Sequence, residues 1–123
     1  MKYTIKQASE KLSIKAHTLR YYETQGVILP INRDQNGNRE YSEKDIVWLD
    51  IVKCLKETDM SLVDIKRIVE LSDVENSNET LEERKAILLK HKGILEEKIL
   101  LMKKSILKID KKIAYYNGQE IDC

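Results

Sequence analysis

The chain has 123 residues, of which 35% are charged, with a formal net charge of +1, one proline and no Phe. That length allows one compact domain, or a small domain carrying an extended arm. No stretch approaches the roughly 18 apolar residues a membrane helix needs, and the start "MKYTIKQASEKL" lacks a signal peptide's apolar run. The chain is therefore expected in the cytoplasm and off the membrane. A composition rich in Lys, Glu, Ile and Leu suits a mainly α fold. The near-neutral total does not announce a nucleic-acid binder. Through position 44, eight Lys and Arg stand against five Asp and Glu, a bias of +3 that a mixed solvated surface explains as easily as DNA.

Thr4 is followed by Gln7 three residues on, the reciprocal pattern of a capping box. Ile5, Ala8 and Leu12 then recur at helical spacing, so a first short helix runs to about Leu12. After the brief break "LSIK", the run "KAHTLRYYETQ" reads as a second helix that Gly26 ends. Two short helices joined by a tight turn, about 4–23, make a helix-turn-helix candidate. Within it, Arg20, Tyr21 and Tyr22 are adjacent. Adjacent helical positions point about 100° apart, so these three cannot all face one core.

"VIL" before Pro30 reads as a short edge strand, "NRDQNGN" carries a tight-turn Asn-Gly pair, and "REYS" returns as a second strand. Such a hairpin, about 27–42, is too small to stand alone and must lean on the helices as a wing does. Ser42 with Asp45 caps a third helix bearing Ile46, Leu49, Val52 and Leu55. Ser61 with Asp64 caps a fourth, bearing Ile65, Ile68 and Val69. The winged helix-turn-helix is placed at 1–71 and a polar, acidic linker at 72–79. Thr80 and Glu83 make a further capping box, and a helix over 80–117 follows with no strong stop before Asn117-Gly118. A short tail, 118–123, completes the chain.

That last helix would be roughly 55 Å long. Leu95, Ile99, Met102, Ile106, Ile109, Ile113 and Tyr116 alternate steps of four and three, an a/d heptad seam. Burying one large apolar side chain is worth roughly 1.5–3 kcal/mol. A seam of seven predicts association, most simply with the same helix of a second copy, a homodimer; folding back on the front domain is the alternative. Gly93 costs about 1 kcal/mol inside a helix and marks either a close crossing or a bend.

"TLRYYE" at Thr18 to Glu23, Gly26 with Pro30, Gly37 and Arg39 in the wing, Tyr41, and "SLVDIK" at Ser61 to Lys66 together carry a likeness: the chain resembles the MerR family of transcriptional regulators. The resemblance makes the long helix an antiparallel dimerisation coil. It implies double-stranded promoter DNA as partner, with RNA polymerase engaging a promoter whose long spacer the regulator twists. Arg20 would contact phosphate. Tyr21 and Tyr22 would divide between a hydroxyl reaching the DNA backbone and a ring packed on the wing, unless both are core. The exposed start of the second helix, Lys15, Ala16, His17 and Thr18, would read bases in the major groove, with His17 as readily an exposed bystander. Arg39 and Tyr41 would hold flanking phosphates. Two positions depart from the family pattern: Lys15 stands where a small hydroxyl is usual, and Asn38 where a wing Tyr is common.

Cys54 and Cys123 are far apart, in no metal-ligand spacing, and are expected to be free thiols. No metal and no cofactor is implied, and no nucleophile–base set or phosphate-cradling glycine loop points to an enzyme. "VKCLKETDMSLVDI" resembles the NmlR/AdhR branch, in which a single Cys near the end of the third helix is associated with response to aldehydes, nitric oxide or other electrophiles. Asp59 stands where that branch usually has Gly. The residues themselves argue the other way. A Cys on the stripe Val47, Ile51, Cys54 is ordinarily a small buried hydrophobe, and acidic neighbours at a helix C-terminus disfavour a thiolate. A regulator sensing electrophiles through Cys54 and an architectural or excision-type DNA binder without effector both remain open, as does a coiled-coil module that binds no DNA.

Overall fold

The structure, a computed structural model, describes residues 1–73 and 77–118. Part of the expected linker and most of the expected tail, Cys123 included, lie outside the described residues. In chain order come β1 (Lys2–Tyr3), α1 (Ile5–Leu12), α2 (Ala16–Gln25), β2 (Asn32–Arg33), β3 (Arg39–Ser42), α3 (Glu43–Glu57), α4 (Leu62–Ser72), a 3-10 turn (Ser77–Thr80) and α5 (Leu81–Tyr116). The mainly α architecture expected from the sequence is present. Local chemistry sets the helix starts. Thr4 and Gln7 form the reciprocal box that opens α1, Ser42 and Asp45 form the one that opens α3, and the Ser61 hydroxyl accepts the Asp64 N–H at α4. Gly26 ends α2 in the left-handed conformation, φ 75.

The sheet differs from the expected hairpin. It has three strands in the order β1-β3-β2, all antiparallel, with Tyr3 opposite Tyr41 and Arg33 opposite Arg39. Val27 and Ile28 are not a strand. They are apolar because they enter the core, at 0% and 4% exposure, and the wing's first strand begins only after Pro30. The hairpin turn closes on Asp34, whose Oδ1 accepts the Asn36 and Asn38 N–H groups, while Gly37 takes φ 81. α3 ends at Glu57 with Thr58 as its C-cap, and the next residue, Asp59, takes φ 69, a conformation glycine adopts more readily than other residues.

The core draws on α1, α2, β3, α3 and α4 and on the stretch between α2 and β2. Ala8, Leu19, Val27, Tyr41, Leu49, Val52 and Ile65 are all essentially sealed, with Ile87 packed at the edge. The chain divides into two compact units, Met1–Ile87 and Leu88–Cys123. The division therefore falls within α5 and not at the linker expected over 72–79. Thr80, expected as the helix cap, donates its hydroxyl to the Leu71 carbonyl at 2.6 Å, and Glu83 lies 3.8 Å from Arg67. In the second unit Ile99, Met102, Ile106, Ile109, Ile113 and Tyr116 are each more than half exposed. Among the described residues no helix is long and apolar enough to cross a membrane.

Candidate nucleic-acid interface

The turn between α1 and α2 is built tightly. Ser13 adopts φ 55, the Ser9 hydroxyl donates to the Ile14 carbonyl at 2.6 Å, and Lys53 Nζ reaches from α3 to the Leu12 carbonyl at 2.9 Å. Lys53 thus supplies the cation that the C-terminus of α1 favours. Lys15 occupies the N-cap of α2 and makes no side-chain cap hydrogen bond. The first amides of α2 are left to solvent or to an anion.

α2 shows how "RYYE" is divided. His17, Arg20, Tyr21 and Thr24 are exposed and share one helical face, three and four residues apart. Leu19 and Tyr22 face inward, at 1% and 8% exposure. Tyr22 is therefore a core residue; burial, then the nearby Glu57 and Tyr21, push its pKa up. It lines a recess with Lys53, Lys56 and Glu57 near the end of α3. Tyr21, 48% exposed, is the aromatic that faces out.

Lys15 and Thr18 open onto a neighbouring groove of about 330 Å³ that also takes in Ser13, Tyr22, Lys53, Lys56 and Glu57. Three lysines against one glutamate make it a cationic recess beside the start of α2. Lys53 and Lys56 escaped the sequence analysis because only tertiary packing turns that side of α3 towards α2.

The other missed residue is Glu23. Its Oε2 accepts the Ile31 N–H at 2.9 Å, and its Oε1 accepts Arg39 Nε at 2.8 Å. One carboxylate thus ties α2 to both sides of the wing. Burial pushes its pKa up, but the Arg39 and Ile31 hydrogen bonds and the Arg39 and Arg33 charges outweigh burial and hold it below its usual value. Arg39 spends Nε on this bridge and keeps its remaining guanidinium donors for other acceptors. Tyr41 corrects the sequence expectation. The β3 register turns it inward, it is 1% exposed, its hydroxyl is buried with no hydrogen-bond partner, and burial pushes its pKa up. A side chain so placed cannot hold a phosphate.

Cys54 is also corrected. It is exposed on the outer side of α3, with Val47 64% and Ile51 41% exposed beside it. The core face of that helix is the parallel stripe Ile46, Leu49, Val52 and Leu55. Among the described residues no group of three His, Cys, Asp or Glu is placed to hold a metal ion.

The helix-turn-helix thus presents an outward cationic and aromatic face, flanked by a short wing. The model of the MerR HTH family of regulatory proteins matches residues 3–72. The chain belongs to the MerR family. An uncharacterised HTH-type transcriptional regulator of Haemophilus influenzae is 37% identical over 116 residues, spanning 94% of this chain and 84% of that protein. The HTH-type transcriptional regulator AdhR of Bacillus subtilis is 36% identical over 85 residues, 68% of this chain and 59% of AdhR. Among solved structures, HiNmlR, described as a MerR family regulator lacking the sensor domain and bound to promoter DNA, superposes with a TM-score of 0.83. It is 36% identical, over 96% of this chain and 92% of that one. A MerR family protein from Listeria monocytogenes superposes at 0.84 with 32% identity, over 94% and 86%. The chain is thus a MerR-family DNA-binding transcriptional regulator.

The Glu23 bridge can be tested through pH. A carboxylate whose folded pKa is depressed stabilises the fold above its unfolded pKa and loses that contribution as pH falls through the folded value. Glu23→Gln is expected to lower stability by about 1–2 kcal/mol at neutral pH. In urea melts, the difference from wild type should shrink as pH drops below about 4. A deficit that stays constant with pH would mean that the charge on Glu23 is not what matters.

Proposed function

We propose that this MerR-family chain works as a homodimer on a promoter with a long spacer, presenting one α2 to each half-site and enabling RNA polymerase to engage both promoter elements. The observation that carries the reading is the outward face of α2, with Arg20 and His17 one turn apart beside an N-terminus that has no side-chain cap. In this reading Arg20 and Arg39 grip phosphates, while Lys15, His17 and Thr18 face the base edges and Tyr21 contacts the DNA backbone. Phosphate contacts fix register and base contacts give sequence preference. The kinship with a promoter-bound regulator supports the DNA partner. The heptad seam Leu95, Ile99, Met102, Ile106, Ile109, Ile113 and Tyr116, mostly open to solvent in the single chain, supports the second copy. Arg20→Ala is expected to weaken specific and random DNA alike, and to lower the slope of log affinity against log salt by about 1 per subunit. Unchanged affinity for random DNA in a gel-shift titration would remove Arg20 from the phosphate contacts.

A second layer concerns regulation. The exposed thiol of Cys54 favours a response to aldehydes or other electrophiles over an inert core role. Its carbonyl lies in the last turn of α3, bonded by Thr58, and Lys53 and Lys56 line the groove beside α2. Cys54→Ser is expected to keep melting temperature and operator affinity while abolishing induction of a promoter reporter by an aldehyde. Normal induction in Cys54→Ser would remove Cys54 as the sensor, and a wild type that no aldehyde induces would leave the effector-independent, architectural binder as the better reading.

A further inference from the structure

Tyr41 carries a polar atom that the free chain does not use. The residue is 1% exposed, and its hydroxyl is buried with no hydrogen-bond partner. A buried hydroxyl left so costs its full desolvation, and a Phe ring would fill the same space without that cost. The surroundings show where a partner lies. Alternate residues of a strand share a face, so Arg39 and Tyr41 of β3 point to the same side. It is the side on which Arg39 Nε donates to Glu23 Oε1 at 2.8 Å. The charges that bear on the Tyr41 hydroxyl are those of Arg39, Glu23, Arg20 and Arg33. Arg39 Nε is engaged by Glu23, Arg33 Nη1 donates to the Gly37 carbonyl at 3.3 Å, and Arg20 stands on the exposed face of α2.

Glu23 is the acceptor among these groups. Its two oxygens take one N–H each, from Arg39 and from Ile31, and a carboxylate oxygen has a second lone pair for a further donor. The Glu23 side chain is 16% exposed, so another hydrogen bond to it is charge-assisted and little screened. We propose that Tyr41 is a positioning residue for DNA binding: its hydroxyl is held in reserve in the free chain and donates to the Glu23 carboxylate when the wing closes on the duplex. With Ile31, Arg39 and Tyr41 all on one carboxylate, the wing is locked to α2, and the Arg39 guanidinium is fixed with its remaining donors free for a phosphate. A wing with strands of two and four residues is slight enough to make that shift. The proposal rests on the reading of Arg39 as a phosphate grip.

Tyr41→Phe keeps the ring and removes only the hydroxyl. The full chain is compared as wild type, Tyr41→Phe, Glu23→Gln, the double variant and Arg39→Ala, by thermal melting without DNA and by affinity for a random-sequence duplex at low salt. Free Tyr41→Phe is expected to melt at or above the wild-type temperature, because it loses no hydrogen bond. Its affinity for the duplex should fall about fivefold, the worth of a hydrogen bond to a charged group less the cost of closing the wing. In the Glu23→Gln background the same substitution should cost less than about twofold, because the charged acceptor is gone. Tyr41→Phe that binds as tightly as wild type overturns the proposal, and an internal water that satisfies the hydroxyl in both states would give that result. So does a lower melting temperature for free Tyr41→Phe, which would place a hydrogen bond in the free chain already. An equal loss with Glu23 and with Gln at that position overturns it as well. If Arg39→Ala binds like wild type, the phosphate role of Arg39 fails and the proposal with it; if Arg39→Ala weakens binding and Tyr41→Phe does not, the proposal alone fails.

Discussion

The apolar stripe of α5 is the constraint on which the functional account depends. From Ile99 to Tyr116 its seam side chains are exposed in the single chain. Each is worth roughly 1.5–3 kcal/mol if buried. A second copy of the same helix covers such a stripe with matching a/d spacing. In our account that pairing gives the protein its function, because one short α2 with a handful of polar contacts is a weak DNA reader and two held at a fixed spacing are a selective one. On that account selectivity comes from geometry and pairing, and the near-neutral net charge is consistent with it.

The wing is held by economical means. Strands of two and four residues cannot sustain a hairpin alone. Three devices compensate: β1 adds a third strand, Tyr41 anchors the sheet in the core, and Glu23 fastens the wing to α2. The last also orients Arg39, so the carboxylate of "RYYE" prepares a cation that it never presents itself. Arg20 is placed differently. It stands on the open face of α2 and depends on the helix alone.

Features encoded by local spacing were legible in the sequence. The Thr4–Gln7 and Ser42–Asp45 boxes, the stop at Gly26 and the extent of the last helix each follow from residues within a turn of one another. What needed tertiary packing was not legible. α3 carries two apolar stripes, one through Leu49 and one through Ile51 and Cys54, and helical spacing alone cannot say which one the core takes. "VIL" is apolar whether it is a strand or a buried turn. β1, with two residues, has no periodicity to detect. Tyr41 reads as a wing contact until the register with Tyr3 turns it inward. Lys53, Lys56 and Glu23 gain their roles from partners distant in sequence, which no local pattern announces.

Sedimentation equilibrium of the wild type and of Ile106→Asp tests the central claim most directly. Ile106 stands mid-seam, and a charge buried there without a partner is strongly unfavourable. The account predicts a dimer for the wild type at micromolar concentration, and a monomer with unchanged helical content for Ile106→Asp. A wild type that sediments as a clean monomer at that concentration would contradict it.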